Sequence, residues 1–286
     1  MTTTGISGST VGKNYGFETS TTSEEKIFND DKCSTVVIAT RHNTHSDLVV
    51  KAIHANKHIF VEKPLAINKQ QIADIKSAID RKNYNKNLIV GFNRRYSPHI
   101  QQIKKLLQPQ KQPKSFIYTI NAGKIDKEHW TQKEEIGGGR IIGEACHFID
   151  LLLFLSDSKI ISIDAKKLDN GSGVNDCVSI LIGFMDGSIG TINYFSNGPS
   201  NYPKERLEIF CDGSSLELQN FKSLKGYKWR GFRSMSTWKQ DKGHESFVKS
   251  FISSVVKGTK APIDLDDIFS VSEAAIEVDN IVKNKL

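Results

Sequence analysis

Cysteine is scarce in this 286-residue sequence: Cys33, Cys146, Cys177 and Cys211 are far apart and form no CxxC pair. That excludes a zinc ribbon or a disulfide framework, and it suits reduced thiols in a cytoplasmic protein. Long apolar runs are also missing. No stretch approaches the length of a membrane span, and the opening MTTTGISGST has neither a basic nor an apolar leader region, so no membrane role is expected. The net charge of +7 is not concentrated, because lysines run thinly from Lys13 to Lys285. Nucleic-acid surfaces gather basic residues beside aromatic platforms, so a nucleic-acid partner is not expected. A mildly basic surface does suit anionic substrates or nucleotides. The sequence has no repeat, no low-complexity tract and no metal cluster of its own.

What is present is an alternation of short apolar runs with amphipathic segments. Thr35 to Ala39 reads as a buried strand, Ser46 as the cap of a helix carrying Leu48, Val49, Ala52 and Ile53, and His58 to Val61 as the next strand. Asn68 caps a further helix with Ile72, Ile75 and Ala78 inward, and Leu88 to Phe92 is a third strand. Ahead of these, residues 1 to 16 read as loop and short helix, and Glu24 to Asn29 as a helix capped by Ser23. Gly5-x-x-Gly8 lacks the preceding strand that a phosphate loop needs. Parallel strands deliver their carboxyl ends to one edge, which is where open α/β sheets bind ligands. Thr40 to His45 and Glu62-Lys63-Pro64 leave their strands at that edge.

A helix over Pro98 to Leu107 closes this part. Alternating patterns then predict strands at Phe116–Ala122, Ile161–Lys167, Val178–Phe184, Ser188–Phe195, Arg206–Cys211 and Ser214–Gln219, with hairpin turns at Asp186-Gly187 and Asp212-Gly213. Helices over Ser246–Lys257 and Asp266–Asn284 end the chain. The fold class is therefore α/β plus α+β: a Rossmann-type parallel sheet over residues 1–109, then a large, mostly antiparallel open sheet over 110–286.

Two stretches carry chemistry. Lys63, held by the following proline at a sheet edge, suits a proton donor or acceptor, and equally an ordinary βα turn. The other is GGGRIIGEACHFIDLL from Gly137, in which Glu144, His147 and Asp150 fall at i, i+3 and i+6 of a helix. A histidine with a carboxylate one turn away on each side suits proton transfer near neutral pH, and equally a packed helix. The glycine triplet lets the backbone approach a ligand or another element closely.

These motifs in order, ATRHNTH, HIFVEKP, GFNRRY, GGGR and HFIDLL, resemble the glucose-fructose oxidoreductase, inositol dehydrogenase and MocA family over nearly the whole chain. GGGRIIGEACHFIDLL most resembles the branch in which this module follows a zinc alcohol-dehydrogenase-like domain. The resemblance implies NAD or NADP, a sugar, polyol or nucleotide-sugar substrate, and reversible oxidation of a secondary hydroxyl. It further implies a homo-oligomer formed through the second sheet and an upstream fused or separate dehydrogenase domain. By position, Lys63 and His147 become catalytic, with Glu144 a substitute for the aspartate that many members carry where this chain has Gly143. Thr40, Arg41, His42, His45, Glu62, Lys63 and Asn93 fall where the family lines its nicotinamide and ribose pocket. The family's opening GxGxxG turn occurs nowhere in this sequence, and Thr2-Thr3-Thr4-Gly5 would be the exit of the strand that follows it. The first sheet is therefore expected to be N-terminally truncated, and a non-catalytic remnant or fusion segment with weak dinucleotide binding is the alternative.

Overall fold

The computed structural model describes residue 1, residues 5–169 and residues 176–284. The expected strand exit at Thr2-Thr3-Thr4 lies outside them. Helices α1 (Gly5–Tyr15) and α2 (Glu25–Phe28) precede a parallel unit. That unit runs β1 (Thr35–Ile38), α3 (His45–His54), β2 (His58–Val61), α4 (Lys69–Lys82), β3 (Leu88–Val90) and α5 (Pro98–Leu107). The strands pair in parallel in the order β1-β2-β3. The continuous apolar runs of β2 and β3 follow from burial on both faces, with Ile59, Val61, Ile89 and Val90 fully enclosed, whereas the strand expected to be buried at Thr35 to Ala39 leaves Val37 69% exposed on one face.

The second sheet contains β4 (Ser115–Asn121), β5 (Ile160–Lys167), β6 (Val178–Phe184), β7 (Ile189–Phe195), β8 (Glu205–Cys211), β9 (Ser214–Gln219), β10 (Ser223–Tyr227) and β11 (Ser234–Ser236). Its order is β11-β10-β9-β8-β4-β7-β6-β5. It is mixed, because β4 runs parallel to β7. Between the sheets lie α6 (Glu134–Gly137), a π-helical turn Ile141–Ala145 and α7 (Cys146–Ser156); α8 (His244–Lys257) and α9 (Leu265–Asn284) complete the chain. Almost every residue of α7 is buried, so it is a central beam and not an amphipathic surface helix. Gly190 of β7 lets it settle on the sheet, since a Cβ there would stand 2.7 Å from Leu152. The last helix turns back onto the first domain, where Lys69 pairs with Glu277 at 2.8 Å and Lys76 with Glu273 at 2.6 Å.

Two expected caps are corrected. The second helix has Glu24 at its cap, with no side-chain bond from Ser23. Helix α3 begins at His45 after Thr44, and Ser46 instead donates to the Gln71 carbonyl at 3.2 Å. Asn68 does cap α4, accepting from Gln71 N at 2.9 Å.

Candidate active site

The carboxyl ends of β1, β2 and β3 meet the start of α7. Lys63 leaves β2 through a cis bond to Pro64 and donates from Nζ to the Gly143 carbonyl at 2.8 Å. Gly143 lies in the π turn that delivers His147 to the cleft. One hydrogen bond thus joins the two halves of the motif pair across 80 residues of sequence.

His42 explains why position 143 is glycine. Its Nδ1 lies 2.8 Å from the Gly137 carbonyl, and its ring meets Trp130 edge-on at 4.8 Å. A Cβ on Gly143 would stand 2.9 Å from His42 Cε1, so the aspartate of the family pattern has no room. Within the glycine triplet Gly137 serves protein packing, since a Cβ there would come within 2.4 Å of the Thr131 backbone, while Gly139 has open space beside it and a φ of 79°.

The remaining residues expected to line the pocket fall at the same edge. His45 is buried, with Nδ1 2.7 Å from the Pro64 carbonyl and Nε2 3.2 Å from that of Thr40. The Thr40 hydroxyl meets that of Thr44 at 2.6 Å, and Arg41 is exposed. Glu62 reaches over Gly91, where a Cβ would stand 2.8 Å from Oε2. Asn93 is buried and donates to the Lys242 carbonyl at 2.8 Å.

The carboxylates expected to flank His147 are not there. The π turn is wider than an α turn and takes Glu144 out of phase with His147. Glu144 accepts instead from Tyr194 Oη at 2.9 Å and Arg140 Nε at 3.2 Å. Asp150 accepts from Arg95 Nε at 2.9 Å in a buried pair that Asp267 extends. His147 Nδ1 is enclosed without a hydrogen-bond partner among the described residues. Burial, then the charges of Arg94, Lys63, Lys242 and His244, push its pKa well below 6.5, so the ring is neutral at neutral pH.

Arg94, Glu205, Lys242 and His244 are neighbours that pattern reading missed. Arg94 and Arg95 were visible in GFNRRY, yet only Asn93 was singled out. Glu205 opens an ordinary strand and gives no local signal.

His42 makes the site sensitive to acid. Burial lowers its pKa to about 4, against the Gly137 hydrogen bond that raises it. The unfolded chain, titrating near 6.5, binds the proton first. Stability contributed by the neutral ring is therefore complete above about 6.5 and is lost as pH falls from there towards about 4. After allowance for solvent screening this amounts to on the order of 1–2 kcal/mol. Unfolding free energies of the wild type and His42→Asn at pH 7 and pH 5 are expected to show the shallower pH slope in the variant. Parallel slopes would remove His42 from the account.

Family models match both parts of the chain: "Oxidoreductase family, NAD-binding Rossmann fold" over residues 7–92 and "GFO/IDH/MocA C-terminal domain" over residues 112–217. The chain belongs to the glucose-fructose oxidoreductase, inositol dehydrogenase and MocA family. Relatives within this family include inositol 2-dehydrogenase of Rhizobium meliloti, 23% identical over 87% of this chain and 79% of its own length. Levoglucosan dehydrogenase of Pseudarthrobacter phenanthrenivorans is 26% identical over 67% of this chain, and the match spans 57% of that protein. A solved levoglucosan dehydrogenase in complex with NADH and levoglucosan superposes with a TM-score of 0.84 at 20% identity, covering 100% of this chain and 87% of that one. The family's two-domain fold is thus shared throughout the described chain.

For NAD, the fit has two parts. Polar groups at the ends of β1, β2 and β3, with the close approach at Gly91, suit the nicotinamide and its ribose. The glycine turn that would receive the diphosphate has no GxGxxG counterpart in this sequence.

Proposed function

We propose that this chain is an NAD-dependent oxidoreductase that interconverts a secondary hydroxyl and a ketone on a sugar, polyol or nucleotide-sugar. The observation that carries the reading is the Lys63–Gly143 hydrogen bond, which sets an ammonium beside the turn leading to a neutral, buried His147. The chemistry that bound NAD supplies is hydride acceptance. His147 takes the hydroxyl proton as the carbonyl forms, and Lys63 orients the substrate oxygen with the donors not used on Gly143. Thr40, Arg41, His42, His45, Glu62 and Asn93 would hold the nicotinamide end. Glu144, tied to Arg140 and Tyr194, braces the π turn and handles no proton in this scheme.

Two finer readings accompany it. The outer face of the second sheet exposes Leu181, Ile189 and Phe210, which supports self-association of two copies through that face. The likeness of GGGRIIGEACHFIDLL to the zinc alcohol-dehydrogenase-linked branch supports a dehydrogenase domain of that kind as a partner.

The deciding experiment is an NADH titration followed by nicotinamide fluorescence. A saturable signal below millimolar cofactor is the expected result, with ketone formation then assayed on a panel of inositols, sugars and nucleotide-sugars. No saturation up to millimolar NADH would overturn the dehydrogenase reading for this chain.

A further inference from the structure

The π turn Ile141–Ala145 is where Lys63 finds its acceptor, because Gly143, whose carbonyl takes the Nζ bond at 2.8 Å, lies inside it. The π-helix is rare and occurs mainly as single turns within α-helices, frequently at functional sites. None of the residues Ile141, Ile142, Gly143, Glu144 and Ala145 demands it, so the choice of π over α comes from what the turn is fastened to.

The fastening is a closed circuit of three side chains. Arg140, just before the turn, and Glu144, inside it, pair at i,i+4, with Nε and Nη2 each 3.2 Å from Oε1. Tyr194 of β7 donates its hydroxyl to the other carboxylate oxygen, Oε2, at 2.9 Å. The Arg140 guanidinium lies 5.2 Å over the Tyr194 ring and closes the circuit. Arg140 also anchors it to the chain leaving β4, donating from Nη1 to the Gly123 carbonyl at 2.6 Å and from Nη2 to the Ala122 carbonyl at 3.4 Å. Asp176 stands 4.0 Å from Nη1. Only a guanidinium fork reaches a carboxylate and two carbonyls together. Arg140 is 3% exposed and Tyr194 fully enclosed, so these bonds act in a low-dielectric setting where water does not take their place. On the far side of the turn, His42 fills the space that a side chain at position 143 would need.

We propose that Arg140 and Tyr194 are positioning residues: they hold residues 141–145 in the π form, and that form aims the Gly143 carbonyl at Lys63 and sets the phase at which His147 follows. The second sheet thereby fixes, through two side chains, how the ammonium and the imidazole stand relative to one another. The consequence for turnover rests on the oxidoreductase reading above, whereas the coupling of the turn to Lys63 does not.

Two variants test it. Tyr194→Phe deletes one hydroxyl and keeps the ring, and Arg140→Lys keeps the charge and loses the fork. Lysine acylation by acetic anhydride, mapped by peptide mass, reads whether Lys63 is held, and amide deuterium exchange over residues 139–148 reads whether the turn is. Neither needs cofactor or substrate. Both rates are expected to rise about fivefold in each variant, the factor that loss of one ordinary hydrogen bond sets, while the other lysines and the amides of β2 and β3 stay as in the wild type. On a sugar that the wild type oxidises, kcat is expected to fall by roughly 10–10²-fold with NADH Kd within about twofold, since small misplacements of a reacting group are felt in turnover. If Arg140→Lys does not fold by circular dichroism, Tyr194→Phe decides. An unchanged Lys63 acylation rate in Tyr194→Phe, or a rise shared by every lysine and every peptide, would overturn the proposal. A chain whose Lys63 responds but which binds no NADH keeps the coupling and loses the oxidoreductase reading; an unresponsive Lys63 in a chain that binds NADH loses only this inference.

Discussion

Replacing His147 with alanine is expected to lower turnover by roughly 10²–10⁴-fold, the usual contribution of a positioned general base, while leaving NADH affinity within about twofold. The asymmetry follows from where the ring stands. His147 is presented by the π turn and α7, whereas the residues assigned to the nicotinamide belong to the ends of β1, β2 and β3. Stopped-flow turnover beside fluorescence titration separates the two quantities, and equal losses in both would make His147 a structural or cofactor-holding residue. The pH profile gives a second reading. Because burial and the surrounding cations keep the folded pKa well below 6.5, the acid limb of kcat/KM, which reports the free enzyme, is expected to lie well below 6.5 too. A limb at or above that value would assign the proton to another group.

The second large effect falls on stability. Glu205→Ala removes the only ion-pair partner of Arg94 and Lys242 among the described residues, leaving two cations in a site where Glu205 itself is 1% exposed. Removing one member of a buried charge cluster costs roughly 3–5 kcal/mol, which urea unfolding at pH 7 measures directly. A change below about 1 kcal/mol would show that water replaces the carboxylate without penalty. The wild type also carries a pH signature. Burial opposes ionisation of Glu205, but Arg94 and Lys242 outweigh it and hold its pKa at about 2 against an unfolded value of 4.5. The stabilisation is complete above about 4.5 and is lost as pH falls through the interval to about 2, and Glu205→Ala should flatten that part of the curve.

How much of this was legible depended on the range of each interaction. The β1-α3-β2 unit was plain because two short apolar runs, Val36–Ile38 and Ile59–Val61, flank one amphipathic segment; β2 is buried on both faces, while Val37 of β1 is 69% exposed. Lys63 and His147 could be paired through their motifs. The phase between Glu144 and His147 could not, because a π turn changes it without any distinctive residue. The parallel pairing of β4 with β7 was also hidden, since hairpin turns mark only neighbours in sequence. Strands β10 and β11, short and rich in serine, lysine and glycine, lack the alternation that identifies a strand. The Arg94–Glu205 pair spans 111 residues, and only folding brings those charges together.

The hydrogen bond between Lys63 and the Gly143 carbonyl makes one ammonium the measure of the distance between the end of β2 and the π turn. A hydrogen bond tolerates only a few tenths of an ångström of stretch. The bond therefore ties the Glu62–Pro64 turn after β2 to the π turn before α7, and a displacement of either turn by more than that loses it.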